Sequence, residues 1–318
     1  MKVAIKRVIG RWAAQLISAD GERIEAQYSG RNLITNHGLD LIGTRGLCWY
    51  HERDSAVPHT LYAHVGTGSA EINADSVTLD GLLASTANNG GHATDIQQIA
   101  EGHYKITYTR QFDKAEVDGA NLTRAAVSPG LIGDPREMFS QWLFTDANGD
   151  PITITPSNQH LRLTWQIEII LSPWPANTVT TDEIGGVTRH AKLAIHYDGG
   201  DLRRASDLRA IDAILTGRMR IYDNWITPDD IDLSVYTGPV SPQHRWTPQH
   251  VEAPAYSPGS RERSCILKYD TAHGNGTIKG AIFREIYSGS GLLLRFEDGD
   301  EPEKTDTKEL DIKVTVTW

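Results

Sequence analysis

Short runs of alternating apolar and polar residues, broken by turn chemistry, dominate this chain. Residues 2–9 alternate with period two, residues 12–17 lead into the turn pair Asp20-Gly21, and residues 23–28 return, which predicts a first hairpin. After Gly30 the spacing becomes helical. Leu33, Ile34, His37, Leu41 and Ile42 fall on one face, predicting a helix over 32–43 with Asn32 as its N-cap. Residues 60–68 read as a buried strand ending in a glycine turn, and Asn88-Asn89-Gly90-Gly91 reads as a loop. Strands follow at 104–112, 122–127, 139–144 and 161–170, where aromatic and β-branched residues alternate with polar ones. Many short strands separated by turns predict a β-sandwich.

A second unit is expected after Pro173-Trp174-Pro175, because two prolines cannot continue a central strand. The chain therefore divides into residues 1–174 and 175–318. In the second part, Leu202, Ala205, Leu208, Ile211 and Leu215 have amphipathic spacing for a helix over 201–215, which Gly217 closes. Residues 227–259 are rich in Pro, Ser, Gln and His and read as a long extended arm. The end of the chain echoes its middle. Residues 142–151 and 161–167 resemble 294–302 and 310–316, and residues 118–126 resemble 274–282. Generic hairpins share such features, but two divergent copies of one element are the simpler explanation. The expected fold is mainly β: two related β-sandwich units with one short helix in each half.

Composition narrows the function. At 318 residues, 39% hydrophobic and 23% charged, the chain can bury one or two ordinary cores. No stretch has the continuous apolar run of a membrane helix, and residues 1–10 lack the pattern of a cleaved leader. A net charge of -10 argues against a broad nucleic-acid surface. The two cysteines, Cys48 and Cys265, are expected to be buried free thiols of a protein made in a reducing cytosol, although a bridge between them is open.

Candidate chemistry is sparse. Asp146, Asn148 and Asp150 have the oxygen spacing of a calcium loop, but the position of the bidentate glutamate holds Ser157, so an acidic turn is expected. Gly66, Gly68, Gly90 and Gly91 have no strand-turn-helix context for phosphate. The twelve histidines form no zinc-binding pair, and His37 and His64 read as packing or surface residues. Asp229-Asp230 and the pair Asp298 and Asp300 could be imagined as a glycosidase couple, but neighbours in a turn are usually solvated charges. No catalytic residue, metal site or cofactor is expected, and the protein is not expected to be an enzyme.

The order of segments carries a resemblance. "GRNLITNHGLDLIG", "LYAHVGTGSAEINADSVTLDGLLAST", "YKITYTRQF", "NLTRAAV", "DANGDPITI" and "LRLTWQIEIILSP" together look like a recurrent module of bacteriophage tail and virion structural proteins, over about residues 31–173. The resemblance implies a β-sandwich scaffold and brings no catalytic residues with it. It implies a virion component at the tail, collar, baseplate or fibre adaptor, made in the host cytoplasm. Expected partners are copies of itself, as a trimer or a hexameric or dodecameric ring, and other tail proteins. A glycan-binding receptor module is the main alternative, and a polysaccharide depolymerase a remoter one. The eight tryptophans include two in loop-like surroundings. Along the arm, Trp225, Tyr236, Trp246 and Tyr256 are the candidate interface residues, because large aromatics anchor protein contacts.

Overall fold

The computed structural model describes residues 2–45, 61–92, 94–100, 102–128, 138–172, 178–184, 187–196, 215, 225–227, 246–284 and 291–318. The chain is mainly β, as the alternation predicts. Its frame is an eight-stranded sheet whose path runs β14 (His250–Glu252), β15 (Glu262–Tyr269), β20 (Leu310–Thr317), β1 (Lys2–Ile17), β10 (His160–Ser172), β7 (His103–Phe112) and β6 (Asp95–Ala100). The eighth strand, β2 (Ile24–Arg31), pairs with the later part of β1. The first hairpin is present. One continuous strand of 16 residues covers what reads in sequence as two runs.

β1 serves both halves of the chain. One edge pairs antiparallel with β10 along nearly its whole length, from Ala4↔Ser172 to Ile17↔His160. The other edge is shared: β2 takes Arg11 to Ile17, and β20 runs parallel to Lys2, Val3 and Ala4. The sheet therefore crosses the expected boundary at residue 174 without a gap. Its order is palindromic about β1, with β10, β7 and β6 on one side and β20, β15 and β14 on the other.

A second sheet orders β3 (Leu33–Ile34), β9 (Ser140–Leu143), β8 (Arg124–Ser128), β4 (Tyr62–Gly66) and β5 (Leu82–Thr86). A third orders β11 (Thr178–Ile184), β12 (Val187–His196), β18 (Gly291–Phe296), β17 (Gly280–Arg284) and β13 (Trp225–Thr227). The sequence echo recurs in their hydrogen bonds. Phe144 N donates to Thr123 O, and Phe296 N donates to Lys279 O; Leu122 N donates to Ile154 O, and Ile278 N to Pro302 O. Ala125 lies opposite Trp142 in one hairpin, and Ala281 opposite Leu294 in the other. After its acidic turn, each copy sends its last strand, β10 or β20, into the common sheet. A small ladder of β16 (Gly276–Thr277) and β19 (Glu303–Lys304) completes the strands.

Alternation decides which face is buried. Leu161, Leu163, Trp165, Ile167, Ile169 and Leu171 of β10 point inward, as do Leu310, Ile312, Val314 and Val316 of β20. Aromatic rings join the first two sheets: Trp12 stacks on Trp142 at 6.1 Å between ring centroids and meets Phe144 edge-on at 5.5 Å. Trp165 stacks on Tyr108 at 5.3 Å and takes the edge of Phe139 at 5.4 Å.

The first helix differs from its sequence reading. α1 spans Asn36–Arg45, and residues 33–34 form β3 instead. Thr35, not Asn32, supplies the cap: its Oγ1 accepts from Gly38 N at 2.8 Å while donating to Met138 O at 2.8 Å. Asn32 turns to the sheets, giving its side-chain amide to Ser140 Oγ at 2.5 Å and its backbone N–H to Gly10 O. A second, short helix, α2 (Lys114–Val117), follows β7 behind a capping box of Asp113 and Glu116. Of the expected helix at 201–215 only Leu215 is described, helical and fully buried; the rest lies outside the described residues.

α1 is seated so closely that a Cβ on Gly38 would lie 2.0 Å from Phe139 O. Helix propensity favours Ala over Gly by about 1 kcal/mol. Here the backbone clash outweighs it, so Gly38→Ala is expected to destabilise the protein by about 2 kcal/mol or more. Thr44→Ala, at an exposed position of the same helix, should stay within about 0.5 kcal/mol of the parent. Urea unfolding midpoints decide this, and a raised midpoint for Gly38→Ala would disprove the close seat.

Candidate functional site

The four aromatic residues expected along the arm have different fates. Tyr236 lies outside the described residues. Trp225 begins β13, where its backbone pairs with Ile282. Trp246 is half-buried against the main core, its ring lying over Gly276. Tyr256 stacks on Trp318 at 5.5 Å and donates its hydroxyl to Asp40 of α1 at 2.6 Å. The rings of Trp246 and Tyr256 pack within the chain and stay partly exposed. Residues 250–252 of the arm form β14 in the main sheet, a pairing that no proline interrupts.

Around Tyr256, α1 is tied to the late part of the chain by polar contacts. Asp40 also accepts from Gly259 N at 2.9 Å and is paired with the Arg261 guanidinium. Arg261 Nη2 donates to Asn36 O at 3.0 Å, Arg263 Nη1 to Gly43 O at 3.0 Å, and Trp318 Nε1 to Leu39 O at 2.7 Å. Arg261 adopts φ +53°, a left-handed conformation unusual for a long side chain. Burial opposes ionisation of Asp40, but Tyr256, Gly259 and Arg261 together outweigh it and hold the carboxyl below its ordinary range. These are docking contacts, and of the helix carbonyls they use, Gly43 O lies in the last turn, where intrahelical partners run out.

A second polar layer lies on the face of the β3–β5 sheet turned away from the aromatic core. Arg124 of β8, only 2% exposed, donates to Gly68 O at 3.2 Å and Ala70 O at 2.7 Å. Asp80 accepts from Ser69 N and Ala70 N, each at 2.9 Å, with Arg124 at 3.9 Å. The Ala70 N–H is the largest of the influences that lower the Asp80 pKa, and Ser69 and Arg124 add to it against burial. The glycine-rich segment after β4 is thus a loop clamped by a buried arginine. Gln141 Nε2 fixes it further by donating to Ser76 O at 3.0 Å.

Beside this clamp, His64 is buried between two hydroxyls. Its Nδ1 lies 2.7 Å from Ser85 Oγ on β5 and its Nε2 2.7 Å from Ser128 Oγ on β8. Burial pushes its pKa down to about 4. A neutral imidazole bridging three adjacent strands is a packing histidine. At 1% exposure it offers a substrate no access.

The other sequence candidates resolve into local structure. Asp146 Oδ1 accepts from Asn148 N at 2.8 Å and Asp150 N at 2.9 Å, which makes the segment an acidic turn closed on its own backbone. Asp300 accepts from the ring and the backbone N–H of His190, at 2.6 and 3.0 Å. Asn88 and Asn89 accept from Gly90 N and Gly91 N at 3.0 Å each, a loop by the expected chemistry. Cys265 is a buried free thiol whose pKa burial raises to about 12, too high for thiolate chemistry. Cys48, Asp229 and Asp230 lie outside the described residues. Among the described residues no cluster of His, Cys, Asp and Glu has a metal-binding arrangement.

Exposed apolar residues gather elsewhere. β5 and β6 end their sheets, and they carry Leu82 at 43%, Leu83 at 47% and Ile99 at 50% exposure. At the end of β5 the chain meets β7: Gln111 N donates to Asn88 O and Thr86 Oγ1 to Gln111 O. The sequence reading did not single these residues out. Their signal, short apolar stretches such as Leu82-Leu83-Ala84, is the same as that of a core strand. Set against known families, curated proteins and solved structures, the chain matches none.

Two outcomes test this description. Removing the Tyr256 hydroxyl in Tyr256→Phe should lower stability by about 1 kcal/mol, whereas Asp40→Ala, which leaves Arg261 unpaired, should lower it by about 3 kcal/mol. Equal effects in chemical denaturation would count against the network. For His64, the unfolded chain takes up the proton near pH 6.5 and the folded chain only near 4. Stability is therefore whole above pH 6.5 and falls as the pH drops towards 4, by up to ~3 kcal/mol. His64→Gln should flatten that slope between pH 6.5 and 4; an unchanged slope would show that His64 is already charged or solvated.

Proposed function

We propose that this chain is a structural subunit of a tailed-phage virion, acting at a tail, collar, baseplate or fibre-adaptor station through protein–protein assembly. The order of segments over residues 31–173 supports the reading, as does a scaffold whose buried polar groups serve docking and loop clamping. The observation that carries it is the pair of unpaired sheet edges. Among the described residues, β5 and β6 leave backbone N–H and C=O groups open beside Leu82, Leu83 and Ile99, the combination by which edge strands recruit other chains. Copies of the same chain in a trimer or ring, together with neighbouring tail proteins, are the partners this reading names. Its location is the virion, after synthesis in the host cytoplasm. The exposed edges join the partly exposed aromatics of the arm as the assembly surface this reading names.

The reading predicts concentration-dependent association. Light scattering of the purified chain should show a trimeric or larger mass, and Leu83→Lys, which puts a charge on the exposed edge, should shift it to monomer with an unchanged melting temperature. Immunogold labelling with antibodies to the chain should mark tails of intact particles. A monomer at every concentration, with no label on particles, would refute the assignment.

A further inference from the structure

The outer face of the main sheet carries a hollow of about 300 Å³ where β1, β2 and β10 lie side by side. Strand register builds it. Arg31, Arg11 and Gln166 form one row across the three strands, and Ser29, Ala13 and Thr164 form the next on the same face. The second row is short-chained, so the sheet surface drops there beside a wall of long polar side chains.

The wall holds unbalanced charge. Arg11 and Arg31 are directly opposite each other, an arrangement that places like charges about 5 Å apart at Cβ and is destabilising when nothing lies between them. The Arg31 side chain has no hydrogen-bond or ion-pair partner among the described residues. Arg11 meets Glu168 only through Nε, at 3.5 Å, which leaves the outer nitrogens of its guanidinium open. Glu168 offsets one of the two positive charges, so the pair stays net positive within a chain whose net charge is -10. Two arginines on one face offer guanidinium forks suited to a carboxylate, which accepts paired N–H bonds. Around them Gln166, Ser29 and Thr164 supply an amide and two hydroxyls, donors and acceptors suited to a polyhydroxylated ligand. The volume is at the lower end of small-molecule sites, near about 300 Å³.

We infer that this hollow binds an acidic sugar, with Arg11 and Arg31 holding its carboxylate and Ser29, Thr164 and Gln166 meeting its hydroxyls. The inference stands apart from the assembly reading, because the hollow is on β1, β2 and β10 and the exposed edges are on β5 and β6. Isothermal titration of the full chain with D-glucuronate, D-glucose and acetate tests it, alongside Arg31→Gln, Arg11→Gln and Ala13→Leu. Glucuronate should bind saturably, glucose and acetate should not compete, and each arginine variant should weaken binding about ten-fold or more, the effect of losing a charge-assisted hydrogen bond. Ala13→Leu removes no charge but fills the floor and should abolish binding. Each variant is first checked by its melting temperature, and Ala13→Leu supplies the answer if an arginine variant does not fold. Absence of saturable glucuronate binding, binding unchanged in the folded variants, or acetate competing as well as glucuronate would overturn the inference.

Discussion

Everything in this fold depends on the pairing of β1. Sixteen residues of continuous strand give one edge to β10 and divide the other between β2 and β20. Backbone donors and acceptors in a buried sheet must be paired, so neither half of the frame can close without β1. Its inward side chains make the same demand. Trp12 fills the space between the two sheets against Trp142 and Phe144, and Gly30 leaves room for that ring in the neighbouring strand. Hydrogen bonding along the strand and aromatic packing across it are therefore satisfied by one register, and a slip of one residue would forfeit both.

Much of the β character was legible in sequence because period two maps directly onto burial. The strands at 104–112 and 161–170 were read within a residue or two, and their inward sets are the buried ones. The echo between residues 118–167 and 274–316 was also legible, and the structure repeats it bond for bond at Thr123 and Lys279. What the sequence concealed is that the two copies share a sheet. Nothing in a strand's own pattern names its neighbour, and Lys2 and Thr315 meet across 313 residues of sequence (315 − 2). The helix was misplaced for a different reason. Asn32 and Thr35 are both good caps, and only the position of Phe139 O and Ser140 decides between them.

The polar residues that matter were the least visible. Arg124 and His64 sit in strands whose alternation marks them as ordinary outward positions; they are buried because the loop after β4 folds back over that face and contributes carbonyls to Arg124. Asp40 and Arg261 are 221 residues apart and meet through tertiary geometry alone. Of the aromatics expected to face other subunits, Tyr256 and Trp246 show that a proline-rich segment can gain its order from the domain that bears it. Large rings in loop-like sequence indicate a docking partner, but they do not say whether that partner is another chain or the same one.

The parallel clasp between β20 and the first residues of β1 also bears on how the molecule is made. During synthesis β1 emerges long before β20, so the edge at Lys2, Val3 and Ala4 waits for its β20 partner until the chain has been made through Thr315 to Thr317. Pairing at such separation is slow, since loop closure must precede any gain from contact. The β10 and β2 sides can zip first and hold a nascent half-sheet, leaving one short, Lys-bearing edge waiting. Collapse of the first half therefore cannot by itself make this sheet whole; its last ladder waits for β20.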